Sequence, residues 1–450
     1  MDRRKFMENS GKAILASAII PSAILGGEKL QEISDSGKTK VVLVGTGKRG
    51  SITWGKNLLK DLGEFVEMVG LCDINPKRAK TAKKFINTNA KIYSASDFDR
   101  MIKETKPDYV IVTTTDSFHV DYIVRAMELG VNVISEKPIA TEAEQCQRIT
   151  DAEKRTGKTV TIGFNMRFMS GSTEMKKIID SGVLGKILSV DFHEYLDTTH
   201  GSSYFRRWHG KTKYSGSLLV HKASHHFDLV NWLLEAEPVE VQAMGKVAFY
   251  GHNHSFRSKN CRNCRFTNKC DFYWDITKSK FDMDFYVKNE DVDGYYRDGC
   301  VWDNENDSLD TGTVQVTYDN GAFLTYTLNA NLPYEGQKIS LTGEKGRLDL
   351  RFAHRQPWEV EKPVEVRLST DTKTSKHYFL DYGKGDHGGA DEKEKALIFN
   401  PSIKDTLGQI AGSRAGILSS LIGIAARESI KTGKRVKIDD LISFNTTWRG

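Results

Sequence analysis

A chain of 450 residues is longer than one hydrophobic core usually organises, and 39% hydrophobic with 28% charged residues is a globular composition, so two domains are expected. The formal charge of +6 is the balance of 65 basic and 59 acidic residues. They are scattered, with no block that would follow a phosphate backbone, which argues against a nucleic-acid partner.

The chain opens Asp2-Arg3-Arg4-Lys5-Phe6-Met7, continues through an apolar stretch from Ala13 to Leu25, and reaches Gly26-Gly27. This is the pattern of a cleavable twin-arginine export signal. The apolar stretch is too short for ~30 Å of hydrocarbon, so residues 1–37 are expected to be signal and spacer, with no stable membrane insertion afterwards. A periplasmic or otherwise exported protein follows.

Next, Lys40-Val41-Val42-Leu43-Val44 is a short β-branched run that ends in Gly45-Thr46-Gly47-Lys48-Arg49-Gly50. Strand, glycine turn and helix start form a dinucleotide site: glycine permits the tight turn and the close approach of a pyrophosphate, and the helix N-terminus favours the anion. A second strand over residues 65–72 ends at Asp73, at the spacing where a carboxylate accepts the ribose hydroxyls. Asp73 favours NAD by repelling a 2′-phosphate, although Lys77 and Arg78 stand close enough to accommodate NADP. Asp73 also suits the N-cap of a helix before Pro76.

Residues 109–114 read as a buried parallel strand, 122–129 as a helix and 131–134 as the next strand, giving a doubly wound sheet. Ligands bind at the carboxyl ends of such strands, which places Thr113, Thr114, Thr115, His119 and Ser135-Glu136-Lys137-Pro138 around the nicotinamide.

Ser135-Glu136-Lys137-Pro138-Ile139-Ala140 closely resembles the Glu-Lys-Pro signature of the Gfo/Idh/MocA oxidoreductases, the glucose-fructose oxidoreductase and inositol dehydrogenase type. The resemblance extends through Pro107-Asp108, Gly163-Phe164-Asn165-Met166-Arg167-Phe168, Val183-Leu184-Gly185-Lys186-Ile187 and Ile339-Ser340-Leu341-Thr342-Gly343-Glu344-Lys345-Gly346. It implies an N-terminal Rossmann domain over residues 38–160 and a substrate-binding α+β domain over 161–450, with an open, mainly antiparallel sheet that often mediates homo-oligomers. It also implies that Glu136, Lys137, Asn165 and Arg167 line the cofactor, that Lys137 steadies developing alkoxide charge, and that some members hold the nicotinamide tightly. The family carries a catalytic histidine four residues after an acid on one helix face, and His225 matches that histidine. The chain departs at the acid, where His221 stands, so His225 is expected as general base with His221 as its partner. His221 and His225 have the spacing of a metal pair, but no acidic third ligand is identifiable. His226 points elsewhere and is expected to be structural, and Asp228 to orient the helix.

The second half alternates with period two, with Asp319-Asn320-Gly321 as a hairpin turn between strands and a helix from Arg414 to Lys431. Of the 6 cysteines, Cys72 and Cys146 sit in apolar surroundings and read as inert core thiols. Cys261, Cys264, Cys270 and Cys300 fall in an insertion over residues 252–306, where they read as a zinc or iron-sulfur site, with paired disulfides as the rival. The insertion is also rich in aromatics, among them Tyr273, Trp274, Phe281, Phe285, Tyr286, Tyr295 and Trp302, expected to brace it. The role of Asp386-His387-Gly388-Gly389-Ala390-Asp391 does not follow from sequence. The function expected is NAD(P)-dependent oxidation or reduction of a secondary hydroxyl on a sugar or glycoside, a small-molecule substrate. Its rivals are a redox glycosidase acting by oxidation and elimination, and a non-catalytic dinucleotide sensor or scaffold.

Overall fold

The computed structural model describes residues 37–443, so the segment expected to be an export signal lies outside the described residues. β-branched and aliphatic runs too short for helices form the strands of a first sheet: β1 (Thr39–Val44), β2 (Val66–Asp73), β3 (Lys91–Ser94), β4 (Tyr109–Val112), β5 (Asn132–Ser135) and β6 (Val160–Ile162). Eight strands follow for a second sheet: β7 (Ile187–Asp197), β8 (Pro238–Lys246), β9 (Thr311–Tyr318), β10 (Phe323–Leu332), β11 (Glu335–Gly343), β12 (Gly346–His354), β13 (Val364–Ser369) and β14 (Lys376–Leu380). Two short late strands, β15 (Ala411–Gly412) and β16 (Val436–Lys437), complete one edge of each sheet.

The first sheet has the order β15-β6-β5-β4-β1-β2-β3 and is parallel except for β15. Its strand order reverses beside β1, where a doubly wound sheet opens its ligand crevice. Val41, Val42 and Leu43 are 0% exposed, as burial on both faces requires. The second sheet, β14-β13-β12-β11-β7-β10-β9-β8-β16, is antiparallel apart from the β7–β10 pair. The expected doubly wound domain followed by an open, mainly antiparallel sheet is what is found.

The helix Ser413–Thr432 packs against β8 and against the helix Ser224–Leu234, and so closes one face of the second sheet. The cluster around Val41, Trp54, Leu58, Ile111 and Ile134 is joined by Phe285 and Tyr286 from the insertion and by Ile398 and Phe399 from the helix Ala390–Phe399. Distant parts of the chain thus seal the first core. Among the described residues no helix is long and apolar enough to cross a membrane.

Candidate active site

The loop after β1 is built so that only glycine fits at two places. Gly45 sits at φ +90°, and a Cβ there would lie 2.6 Å from the Thr113 carbonyl oxygen; a Cβ on Gly50 would lie 2.2 Å from the Gly45 carbonyl oxygen. Gly50 opens the π-helical segment Gly50–Asn57. At the end of β2, Asp73 Oδ2 accepts from the Thr46 amide and hydroxyl, both at 2.7 Å, and Oδ1 accepts from the Asn75 amide at 2.8 Å. The helix Pro76–Ile86 is capped by Asn75, whose side chain accepts from the Arg78 amide, which corrects the capping role expected of Asp73. A cradle that any Cβ would fill, with a carboxylate at the neighbouring strand end, fits a dinucleotide.

The other end of the crevice brings together Asp116, Lys137, His221 and His225. Asp116 follows the polar loop after β4, and its Oδ2 lies 2.6 Å from His221 Nδ1. Lys137, in a cis Lys137-Pro138 peptide after β5, donates to the His221 carbonyl oxygen at 2.7 Å. The short helices Leu218–His221 and Ser224–Leu234 meet at Lys222-Ala223 without leaving helical backbone, so His225 stands one turn beyond His221. The His225 ring meets Phe164 edge-on at 5.7 Å, and its buried Nδ1 has no hydrogen-bond partner.

Burial sets the electrostatics here. It drives the Lys137 ammonium down to about 8, against the upward pull of Asp116 and Glu136. It also holds His221 and His225 well below the ordinary imidazole range, and the Lys137 charge adds to both shifts. Asp116 is pushed upward by the same desolvation. For the His221–Asp116 pair the direction is an uncharged imidazole, because desolvation and the nearby cations act on His221 alike. Both histidines are therefore unprotonated near neutral pH and able to accept a proton.

Several residues expected beside the cofactor are also tied into the framework. His119 bridges Pro138 O at 2.8 Å and Thr114 O at 3.2 Å, locking the loop after β4 to the Lys137-Pro138 segment. Glu136 accepts from Arg49 at 2.5 Å and Trp54 at 2.7 Å; Arg49 also forks onto Asp391, to which Asn165 donates at 2.8 Å. Asp391 thus anchors the glycine turn, which gives the late histidine-glycine-aspartate stretch its role. Arg167 makes a bidentate pair with Asp228 at 2.8 and 2.6 Å. His226 Nδ1 lies 2.8 Å from Tyr326 Oη, as befits a structural residue. Thr113 donates to Gly45 O at 2.5 Å, while Thr114 and Thr115 keep their place at the end of β4.

The four cysteines of the insertion come together around one cavity. Cys261, Cys264, Cys270 and Cys300 line one small cavity with Phe256, Phe272 and Trp302, and all are free thiols. Cys264 Sγ accepts from the Phe266 amide at 3.4 Å, and burial raises the Cys261 and Cys300 thiols. Among the described residues no three His, Cys, Asp or Glu side chains are gathered to hold a metal ion, at the cysteines or at the histidines. Cys72 and Cys146 are buried core thiols, the former pushed up to about 12 by burial.

Asp116 belongs to no motif of its own, although it stands among Thr113, Thr114, Thr115 and Ser117 at a strand end, where loop polarity marks a ligand crevice. Nothing local could have paired it with His221, 105 residues away.

Comparison with known proteins agrees with this architecture. Residues 39–164 match the Gfo/Idh/MocA description "Oxidoreductase family, NAD-binding Rossmann fold", and residues 176–438 match "Oxidoreductase family, C-terminal alpha/beta domain". The Bacillus subtilis (strain 168) protein YteT is 33% identical over 431 residues, covering 90% of this chain and 99% of that one. An inositol 2-dehydrogenase of Salmonella typhimurium is 33% identical over 200 residues, 44% of this chain and 55% of the relative. Among solved structures, the aldose-aldose oxidoreductase of Caulobacter crescentus has a TM-score of 0.60 at 16% identity, covering 89% of this chain and 99% of that chain. The WlbA dehydrogenase of Bordetella pertussis, solved with NADH and UDP-GlcNAcA, has a TM-score of 0.61 at 18% identity, covering 89% and 98%. With both halves matched in order, this chain belongs to the Gfo/Idh/MocA oxidoreductase family.

Proposed function

We propose that the protein oxidises, or in reverse restores, a secondary hydroxyl of a sugar or glycoside. The observation that carries this is the grouping of one cation of lowered pKa, Lys137, with two uncharged imidazoles, the buried His221, whose carbonyl oxygen Lys137 meets at 2.7 Å, and the half-buried His225, at the carboxyl edge of the first sheet. A nicotinamide held at the glycine turn and Asp73 would supply the acceptor for the hydride of the carbinol carbon. Lys137 polarises the substrate oxygen, and His225, whose Nδ1 has no protein partner, takes the hydroxyl proton. The Asp116 carboxyl fixes the His221 ring beside it. The product is a ketone, which at a ring carbon is a keto-sugar or 3-keto-glycoside.

NAD is the cofactor this site favours. Asp73 would repel a 2′-phosphate, and the basic groups nearby are already met by carboxylates of the insertion: Lys77 by Asp291 at 2.6 Å and Arg78 by Asp293 at 2.5 Å. The leader pattern supports export by the twin-arginine route to the periplasm, in the folded, cofactor-loaded state. Met244, Phe323 and Phe379 lie exposed on one face of the second sheet, which supports a homo-oligomer.

The test is protein purified without added cofactor, measured by denaturing mass spectrometry for NAD(H), then offered a panel of sugars and glycosides scored for keto-sugar and released aglycone. Keto-sugar supports the oxidoreductase; aglycone without net NADH supports the redox glycosidase. Activity in the cell that survives replacement of Lys137 and His225 would mean a scaffold.

A further inference from the structure

The segment 279–297 of the insertion lies on the two loops that form the dinucleotide site. Tyr286 Oη accepts from the Lys48 amide of the glycine turn at 2.8 Å and would stand 3.5 Å from a Cβ on Gly47. Asn289 O accepts from Asn75 Nδ2 at 2.8 Å, directly after Asp73 and Ile74. Arg78, at the start of the helix that follows, reaches Asp293 and the Phe285 carbonyl oxygen. Phe281 and Phe285 both set their rings edge-on to Phe85, with centroids 5.4 Å apart. An apolar foot and polar contacts to both loops make this a docked element rather than a projecting loop.

Cations gather beside it with little acid to match them. Arg297 stacks over the Tyr286 ring at 5.2 Å, and among the described residues Asp282, at 3.4 Å, is its one ionic partner. Arg207 donates to Ser203 O at 2.6 Å and lies over Tyr204 at 5.5 Å, and among the described residues no carboxylate stands at ion-pair distance from it. Tyr204 in turn packs edge-on to His221, with centroids 5.4 Å apart. Lys48, Arg207 and Arg297 feel one another's charge, and the two arginines also act on His209. The positive field therefore runs from the glycine turn towards the catalytic histidines, the span that a pyrophosphate must occupy between Asp73 and Lys137. Desolvated, mutually repelling cations call for an anion.

We propose that Arg297 and Tyr286 of the insertion, with Arg207, complete the dinucleotide site by holding the pyrophosphate, so that the cofactor leaves much more slowly than substrate turns over. The inference rests on the oxidoreductase reading above and adds to it the part of the chain that retains the cofactor. The Tyr286 hydroxyl, accepting from Lys48 N, keeps its own proton to donate to a phosphate oxygen. Leaving requires the anion to part from the arginines and the docked segment to lift from Phe85 and Asn75.

The experiment loads the full-length protein with NADH and follows its release, trapping free NADH with an excess of a scavenging dehydrogenase and its substrate. Arg297→Met is expected to release NADH at least about tenfold faster, with a weaker dependence on salt, since truncating a buried charge partner acts on the dissociation rate. Tyr286→Phe removes one hydroxyl with no change of shape and should move in the same direction. Lys280→Ala, on the exposed side of the same segment, should leave the rate unchanged. Release from Arg297→Met and Tyr286→Phe at the wild-type rate would overturn the proposal while leaving the oxidoreductase reading intact. So would tighter binding by either, which would make the segment an obstruction. Wild-type protein that takes up no NADH would overturn both.

Discussion

A lysine whose pKa falls to about 8 is a cation mainly below that pH, so in the proposed reaction Lys137 would polarise a hydroxyl in neutral buffer and lose that capacity as the pH rises. The histidines are displaced in the same direction: with pKa values held down by burial, they stay proton acceptors below neutral pH. kcat/KM is therefore expected to hold on the acid side of neutrality and to fall above about pH 8, measured as a pH-rate profile with saturating NAD. His225→Asn should lower kcat by about 10²–10⁴ with bound NAD(H) unchanged, the usual cost of losing a general base. A loss of that size in His221→Asn and little in His225→Asn would move the base to the residue that Asp116 holds. At the glycine turn, Gly50→Ala drives a methyl group against Gly45 O and should cost about 1–3 kcal/mol in overpacking together with NAD binding, read by NADH titration and urea unfolding.

Between elements, charge is used as an internal tie. Arg167, in the turn Asn165–Phe168, and Asp228, in the helix Ser224–Leu234, have side chains only 6% and 1% exposed, so removing one leaves the other charge buried without a partner. Arg167→Met is expected to cost about 3–5 kcal/mol in urea unfolding. The exposed pair Arg125–Asp99 is a control: Arg125→Met should cost no more than about 1 kcal/mol. The turn was legible as a family motif and the helix by its apolar pattern. Their ionic contact was not, because sequence shows which residues are charged and not which charges meet.

Across the molecule, Asp391 ties the late helix Ala390–Phe399 to the glycine turn through Arg49, and to Asn165 at the start of the second half. Arg49 and His387 hold the Asp391 carboxyl far below the usual carboxylate range, despite the opposing effect of burial. A folded pKa below the unfolded one means that this tie stabilises the protein above about pH 4 and is lost progressively as the pH falls further. Asp391→Asn should therefore lower the melting temperature at pH 7 and flatten its decline between about pH 5 and 3, measured by calorimetry. The insertion works on the same scale, since it joins the first core through Phe285 and Tyr286 although it branches from the second half.

By itself the sequence determined what depends on local chemistry and period. The parallel and antiparallel sheets follow from buried β-branched runs and period-two alternation, the glycine turn from residues that tolerate no Cβ, and Asp73 and Lys137 from their positions at strand ends. Tertiary structure alone decided the pairings across long stretches of chain: Asp116 with His221, Arg167 with Asp228, Arg49 with Asp391, and the insertion with the loops around Asp73. It also gathered the four insertion cysteines around one cavity, a grouping that their spacing only partly shows. The physical reason is the same in each case. Propensity and periodicity act over a few residues, whereas a buried charge or hydrogen bond takes its partner from whatever the folded chain brings within about 3 Å.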